Sequence, residues 1–210
     1  MDERDNPPRS PADHRADAPA TRRNRQPLLD VLRDYMPNHG RVLEIAAGTG
    51  QHAVFFGRHF PGLTWFPTDP DTASRRSIDA WRAAEGSGNV QRAQHLDVSD
   101  RPWPVASADV VVCINMIHIA PWHATIDLMR GVRETLAIGG LLVTYGPYNV
   151  DDAFTSPSNE RFDGWLKARD PSFGIRDIAR VARIARVNRL ELQAFVPMPA
   201  HNFTAVFERK

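Results

Sequence analysis

Apolar residues along the chain fall into short runs separated by amphipathic stretches. Leu28, Leu29, Val31, Leu32 and Tyr35 recur at helical spacing from Pro27, and Pro37 with Gly40 closes that segment. Residues 41–46 read as a buried strand with a glycine-containing turn after it, and 52–60 as a helix. A second strand over 63–67 ends in Thr68-Asp69-Pro70-Asp71, followed by a helix over 72–85 and the Gly86-Ser87-Gly88 loop. Residues 90–95 read as a third strand. Residues 108–114 give the clearest strand: Val110-Val111-Val112-Cys113-Ile114 is apolar on both faces, as at the centre of a parallel sheet. A helix over 122–137 ends at Gly139-Gly140, and 141–145 is a fifth strand. Strands alternating with helices at this spacing predict a parallel sheet covered on both faces. The rhythm then breaks. Residues 146–173 hold Pro147, Pro157 and Pro171 with several aromatics, which predicts a long irregular insert and a candidate lid or substrate loop. A helix over 175–188 precedes two strands, 190–196 and 203–207, whose short joint predicts an antiparallel hairpin.

Composition narrows the class. Residues 1–20 are rich in Pro, Asp, Arg and Ala without a large apolar residue after Met1, so a disordered tail is expected there and a single folded domain over 21–210. No run of 18 apolar residues occurs, so no transmembrane helix is expected. The N-terminus lacks the apolar core of a secretory signal. The single cysteine, Cys113, cannot form an internal disulfide and suits a reducing compartment, so a cytoplasmic location is expected. The formal net charge of +1 provides no general attraction to phosphate backbones, which disfavours a nucleic-acid substrate.

Candidate chemistry begins at Glu44-Ile45-Ala46-Ala47-Gly48-Thr49-Gly50. Glycines between a strand and a helix permit an unusual turn and close approach of a ligand to the backbone. Asp69 ends the second strand, where a carboxylate can accept hydrogen bonds from both ribose hydroxyls of a nucleoside. Gly48-Thr49-Gly50-Gln51-His52-Ala53 also satisfies a dinucleotide pattern. However, the acidic Glu44 suits an aminoacyl ligand with a cationic sulfonium better than a pyrophosphate, which it would repel. No Tyr-x-x-x-Lys pair accompanies the turn, which weakens an oxidoreductase reading.

The Glu-x-x-x-Gly-x-Gly turn, Asp69, Leu96-Asp97-Val98 and the Asn115 segment resemble motifs of class I S-adenosylmethionine (SAM)-dependent methyltransferases. The chain is most similar to the poorly characterised family that includes methyltransferase-like protein 26. The residues carrying this are 42–52 (VLEIAAGTGQH), 65–71 (WFPTDPD), 113–121 (CINMIHIAP), 141–147 (LLVTYGP), 158–163 (SNERFD), Arg169-Asp170 and 174–177 (GIRD). The resemblance implies a Rossmann-like α/β fold: a seven-stranded, mostly parallel sheet with helices on both faces and a C-terminal antiparallel hairpin. It implies SAM as cofactor and S-adenosyl-L-homocysteine (SAH) as product. The implied cofactor residues are Glu44, Ala46, Gly48, Gly50, His52, Asp69, Pro70, Asp97, Val98 and Asn115. Among them, Gly48 and Gly50 hold the methionine portion, Asp69 the ribose, and Asp97 with Val98 the adenine. Asn115 and Met116 border the methyl group and substrate.

Methyl transfer from a sulfonium is an in-line displacement, so the protein chiefly positions the nucleophile, with a general base where the acceptor carries a proton. His118 and Tyr145 are the candidate catalytic residues, ahead of His123, Tyr148 and His201. Met116, His118, Trp122, Tyr145, Tyr148 and Asn159 are the candidate substrate contacts. Each of these side chains also fits ordinary packing. Asn115-Met116-Ile117-His118 replaces the Asn-Pro-Pro-Tyr type of motif, which argues against amino-methylation of nucleic-acid bases. His118 and His123 are poorly spaced for a metal, and no metal site is expected. Arg176, Arg180, Arg183, Arg186 and Arg189 make a basic stripe, read as a solvated face or, alternatively, as a surface for an anionic partner. Arg22-Arg23-Asn24-Arg25 is a candidate N-terminal lid, and Trp122, Phe154, Phe162, Trp165 and Phe173 a candidate aromatic cavity. The sequence thus favours a methyltransferase acting on a small molecule, a nitrogen or oxygen of an aromatic or heterocyclic metabolite, as a monomer or homodimer. The alternatives are a non-catalytic SAM-binding interaction protein and a protein or RNA methyltransferase.

Overall fold

A computed structural model describes residues 14–210. Of the tail expected over 1–20, residues 1–13 lie outside the described residues. From Ala16 onward the chain is tied down: Ala16 N donates to Ser77 Oγ (2.9 Å), Trp81 Nε1 donates to Ala16 O (2.8 Å), and Ala18 N donates to Gln51 Oε1 (2.8 Å). Helix α1 (Pro19–Tyr35) therefore starts before the apolar pattern does. Polar contacts hold its first turns, and hydrophobic periodicity does not register them. Pro27 sits inside this helix.

The chain continues through β1 (Gly40–Ile45), α2 (Gln51–His59), β2 (Leu63–Pro67), α3 (Thr72–Glu85), β3 (Ala108–Ile114), α4 (Trp122–Thr135) and β4 (Leu136–Gly146). Then follow β5 (Tyr148–Asn149), α5 (Pro157–Arg169), β6 (Arg176–Asp177), α6 (Ile178–Val187), β7 (Leu190–Met198) and β8 (Asn202–Arg209). The main sheet has six strands in the order β2-β1-β3-β4-β8-β7, parallel from β2 to β4, with β8 and β7 antiparallel. The mostly parallel sheet and terminal hairpin match expectation; the seventh strand does not form. Val90 and Gln94 make only isolated bridges to Trp65 and Thr68. Between them, Ala93 N donates instead to Asp79 Oδ1 of α3 (3.0 Å), which interrupts the ladder.

The insert over 146–173 is also more regular than expected. Ser156 caps α5 by accepting from Asn159 N (3.1 Å), and Pro157 opens the helix, where a missing N–H costs no hydrogen bond. Buried residues of β3 alternate between two cores. Val110 and Val112 join Leu28, Leu29, Phe56 and Trp65 beneath α1 and α2, whereas Val111 and Cys113 join Leu128, Val132 and Val181 beneath α4 and α6. Because β1 leads to β2 on one side and β3 leads to β4 on the other, the connections leaving their adjacent carboxyl ends run in opposite directions. That crevice is where open α/β sheets bind ligands.

Candidate functional site

At the carboxyl end of β1 the turn expected to carry chemistry adopts left-handed backbone at Ala46 (φ 53°), Gly48 (φ 58°) and Gly50 (φ 86°). The two glycines have different surroundings. A Cβ on Gly50 would lie 2.6 Å from Ile78 Cα, so this residue lets α2 and α3 pack closely. A Cβ on Gly48 would meet nothing within 4 Å, so this position faces open space.

Asp69 organises the turn. Its Oδ2 accepts from Gly48 N (2.9 Å) and its Oδ1 from Asp71 N (2.9 Å). Burial raises its pKa, against the lowering effect of those backbone bonds. Asp71 itself caps α3, accepting from Ser74 N (2.7 Å). Glu44 is 1% exposed and accepts a hydrogen bond from Trp65 Nε1 (2.6 Å). Burial pushes its pKa up to about 8, with Trp65 opposing and Asp69 reinforcing the shift. Pro70 is exposed, and Asp97 accepts from Ser99 N (2.9 Å) and Ser99 Oγ (2.8 Å) through one oxygen, Oδ1, beside buried Val98.

Asn115 follows β3 in left-handed backbone (φ 63°) and donates its N–H to Tyr145 O (2.7 Å), tying the ends of β3 and β4 together. Met116 and His118 follow in a single 3-10 turn and are buried. His118 is 1% exposed, and its Nδ1 accepts from Arg176 N (3.3 Å). Burial, aided by the Arg176 charge, pushes its pKa down to about 3. Its Nε2 has no hydrogen-bond partner among the described residues and lies against Gly146, where a Cβ would come within 2.5 Å. Such an imidazole is a poor proton acceptor near neutral pH. Tyr148 is likewise sealed, sharing a hydrogen bond with Thr144 Oγ1 (2.7 Å), and burial raises its pKa.

Several expected contacts are occupied by structure. His52 turns away from the glycine turn toward α1, with Nε2 2.8 Å from Asn24 Oδ1. Burial raises the pKa of Tyr145, with the Asn24 side chain opposing the shift. Asn159 donates both amide hydrogens, to Thr155 Oγ1 and His201 O (each 2.9 Å), which leaves only its carbonyl for a ligand. Trp122 lies beneath Arg176 and Arg180, whose guanidinium carbons stand 5.7 and 5.8 Å from its ring centre. Arg176 also donates to Ile117 O (2.9 Å) and Ala120 O (2.6 Å), so it belongs to the packing below the turn and not to the exposed stripe. The expected aromatic cavity does not assemble: Phe162 and Trp165 stack on each other in solvent, 38% and 51% exposed. Asn24, Gln51 and Ser77 were not legible as site residues. Asn24 was marked only as part of the Arg22–Arg25 lid candidate and Gln51 only within the 42–52 motif, Ser77 not at all, and their contacts are tertiary.

Two depressions lie elsewhere. One of about 310 Å³, at the amino end of the sheet, is lined by Tyr35, Pro37, Asp109 and Ile138; another of about 360 Å³ lies among Arg130, Arg133 and Asn188. Neither touches the glycine turn, and ligands of open α/β sheets bind beyond the carboxyl ends. Among the described residues no group of three His, Cys, Asp or Glu gathers as for a metal ion, and no helix is long and apolar enough to cross a membrane.

Solved structures share this fold at low identity. CalO1, a methyltransferase in calicheamicin biosynthesis in its SAH-bound form, aligns at 18% identity over 89% of this chain and 54% of its own (TM-score 0.73). An O-methyltransferase family protein from Burkholderia thailandensis aligns at 18% over 91% and 57% (TM-score 0.76). YcgJ from Bacillus subtilis aligns at 17% over 90% and 99% (TM-score 0.68). The chain thus spans about half the length of the first two. The architecture is the α/β Rossmann-like fold of these proteins. A family model matches residues 15–209, and the chain belongs to the family described as protein of unknown function DUF938.

Proposed function

We propose that the protein is a SAM-dependent methyltransferase acting on a small molecule in the cytoplasm, related to the group that includes methyltransferase-like protein 26. The observation carrying this reading is Gly48: left-handed backbone, open space above it, and its N–H held by Asp69 at the carboxyl end of β1. The neighbouring groups fit the cofactor. Gly48 lets its methionine portion approach the backbone, Asp69 retains lone pairs for ribose hydroxyls, and Asp97 has one carboxylate oxygen without a partner among the described residues for the adenine amine. Buried Glu44 stands beneath the turn as a group that gains from a nearby positive charge.

When bound, SAM supplies a methyl group already activated by its sulfonium. The residues of this chain then have one task, to hold the acceptor in line. Asn115, whose backbone is fixed by its bond to Tyr145 O, is the residue whose side chain we assign to the acceptor. Neither candidate base is poised to take a proton: His118 is sealed with its pKa pushed down to about 3, and burial raises the pKa of Tyr145. Acceptors that need no proton removed, or that lose it to water, suit this arrangement. The same observation supports the second reading, a SAM-binding protein without catalysis.

Calorimetry with SAM, SAH and NAD tests the ligand class, and tighter binding of NAD would overturn it. Incubation with methyl-labelled SAM and a metabolite extract tests transfer. A labelled small molecule is the expected result; label on RNA or protein would move the acceptor class, and SAM binding without SAH production would favour the non-catalytic reading.

A further inference from the structure

Residues 15–18, just ahead of helix α1, form a strap that is joined to the glycine turn through two buried side chains. Ser77 of α3 is 2% exposed, and its Oγ accepts from Ala16 N (2.9 Å) and donates to Thr49 O (2.7 Å). Gln51, the first residue of α2, is 4% exposed. Its Oε1 accepts from Ala18 N (2.8 Å) and from Thr49 Oγ1 (3.2 Å), and its Nε2 donates to Asp17 Oδ1 (2.9 Å). The partners fix the direction of every bond. A backbone N–H only donates, and a carbonyl or carboxylate oxygen only accepts. The single Ser77 hydroxyl hydrogen therefore goes to Thr49 O. The Gln51 amide cannot flip, because that would oppose N–H to N–H at Ala18 and oxygen to oxygen at Asp17.

Thr49 stands between Gly48 and Gly50. Asp69 holds the turn at Gly48 N, while Ser77 and Gln51 hold the next residue by its carbonyl and its hydroxyl. The turn depends on such support, since Ala46, Gly48 and Gly50 all have positive φ and α2 begins without a capping side chain. The strap has a second anchor on α3. Trp81 Nε1 donates to Ala16 O (2.8 Å), and the Arg15 guanidinium lies over the Trp81 ring, 5.2 Å from its centre. Residues 15–17 are otherwise exposed, so a few polar bonds, and no buried apolar face, decide whether the strap is in place.

We propose that Ser77 and Gln51 are positioning residues through which this N-terminal strap sets the glycine turn for its ligand. The identity of that ligand rests on the SAM reading above. Strap closure and ligand binding then favour each other, and linkage requires each to strengthen the other by the same factor. A segment without a recognisable motif thereby tunes affinity at a turn that it does not belong to.

Amide hydrogen exchange read by NMR, together with calorimetry, tests this coupling. In the wild type, SAH is expected to slow exchange of the Ala16 and Ala18 amides. Trp81→Phe removes the bond to Ala16 O, and among the described residues no hydrogen bond joins Trp81 to the turn. This variant is expected to speed strap exchange, shift the Gly48 and Thr49 amide resonances and weaken SAH about threefold or more. Gln51→Glu sets a carboxylate against Asp17 and is expected to weaken SAH about tenfold. Adding Asp17→Asn restores a donor opposite the new carboxylate, and the double variant is expected to recover most of the lost affinity. Undiminished SAH affinity in Trp81→Phe despite faster strap exchange would overturn the proposal, and so would a double variant as weak as Gln51→Glu. If the wild type does not bind SAH, the SAM reading fails. The Gly48 and Thr49 resonances of Trp81→Phe then still decide whether the strap sets the turn, and unmoved resonances would sink that idea.

Discussion

Alanine at Gly50 and alanine at Gly48 should damage this protein in different ways, although both residues sit in one turn with positive φ. At Gly50 the new methyl would lie 2.6 Å from Ile78 Cα and 3.1 Å from Ile78 Cβ, so backbone of α3 must move. Left-handed backbone with a Cβ costs about 1–2 kcal/mol, and overpacking of this kind a further 1–3 kcal/mol or so. For a chain of this size each kcal/mol lowers the melting temperature by roughly 2–4 °C, so Gly50→Ala should lose about 10 °C. At Gly48 the methyl meets nothing within 4 Å, and only the backbone cost of about 1–2 kcal/mol applies. Ala46, at φ 53°, shows that this turn tolerates that conformation with a side chain. Gly48→Ala should therefore melt within roughly 2–8 °C of wild type yet lose most of its SAH affinity, because the methyl fills the space where the ligand approaches. Scanning calorimetry gives the first quantity and titration calorimetry the second. Equal melting temperatures for the two variants, or undiminished SAH binding by Gly48→Ala, would refute the reasoning.

Other outcomes follow from the same contacts. Glu44, with its pKa raised from 4.5 to about 8, contributes stability that is complete below about pH 4.5 and lost as pH rises through 8. Glu44→Gln should flatten the melting temperature between those values, and an unchanged slope would remove Glu44 as its source. His52 and His118, lowered from 6.5 to about 3, contribute the opposite dependence: their share is complete above pH 6.5 and lost as pH falls through 3. His118→Gln should reduce the loss of stability in that acid range, read from denaturant midpoints at stepped pH. Asn159→Ala removes two buried hydrogen bonds and should cost about 1–3 kcal/mol in urea unfolding. A cost near zero would show that water replaces them. Gly131→Ala would place a methyl 2.0 Å from the Trp103 ring and should be among the most destabilising small substitutions in α4, visible as lost soluble expression.

Much of the fold was legible because its signals are local. The doubly apolar run at Val110–Ile114 marks a central parallel strand, since a strand between two covered faces has no solvent side. The glycine turn and the acidic residue ending β2 were legible for a similar reason, because a left-handed turn restricts which residues can occupy it. Three features depended on contacts between distant segments. Residues 90–95 have a strand-like sequence, but Asp79 takes the Ala93 N–H and breaks the pairing. Residues 157–169 look irregular by hydrophobic period, yet a Ser156 cap and a narrow buried edge at Asn159, Asp163 and Leu166 make a helix. The start of α1 has no apolar face, and hydrogen bonds to Gln51 and Ser77 hold it. The same division runs through the site. Sequence alone determined the parallel centre of the sheet and its terminal hairpin, the glycine turn and the position of Asp69, because backbone restrictions and hydrophobic period are properties of neighbouring residues. Only tertiary structure decided that His118 is sealed, that Asn159 is a brace, and that Asn24 meets His52. Burial and hydrogen-bond direction depend on which distant groups come within 3 Å or so, and no local pattern encodes that.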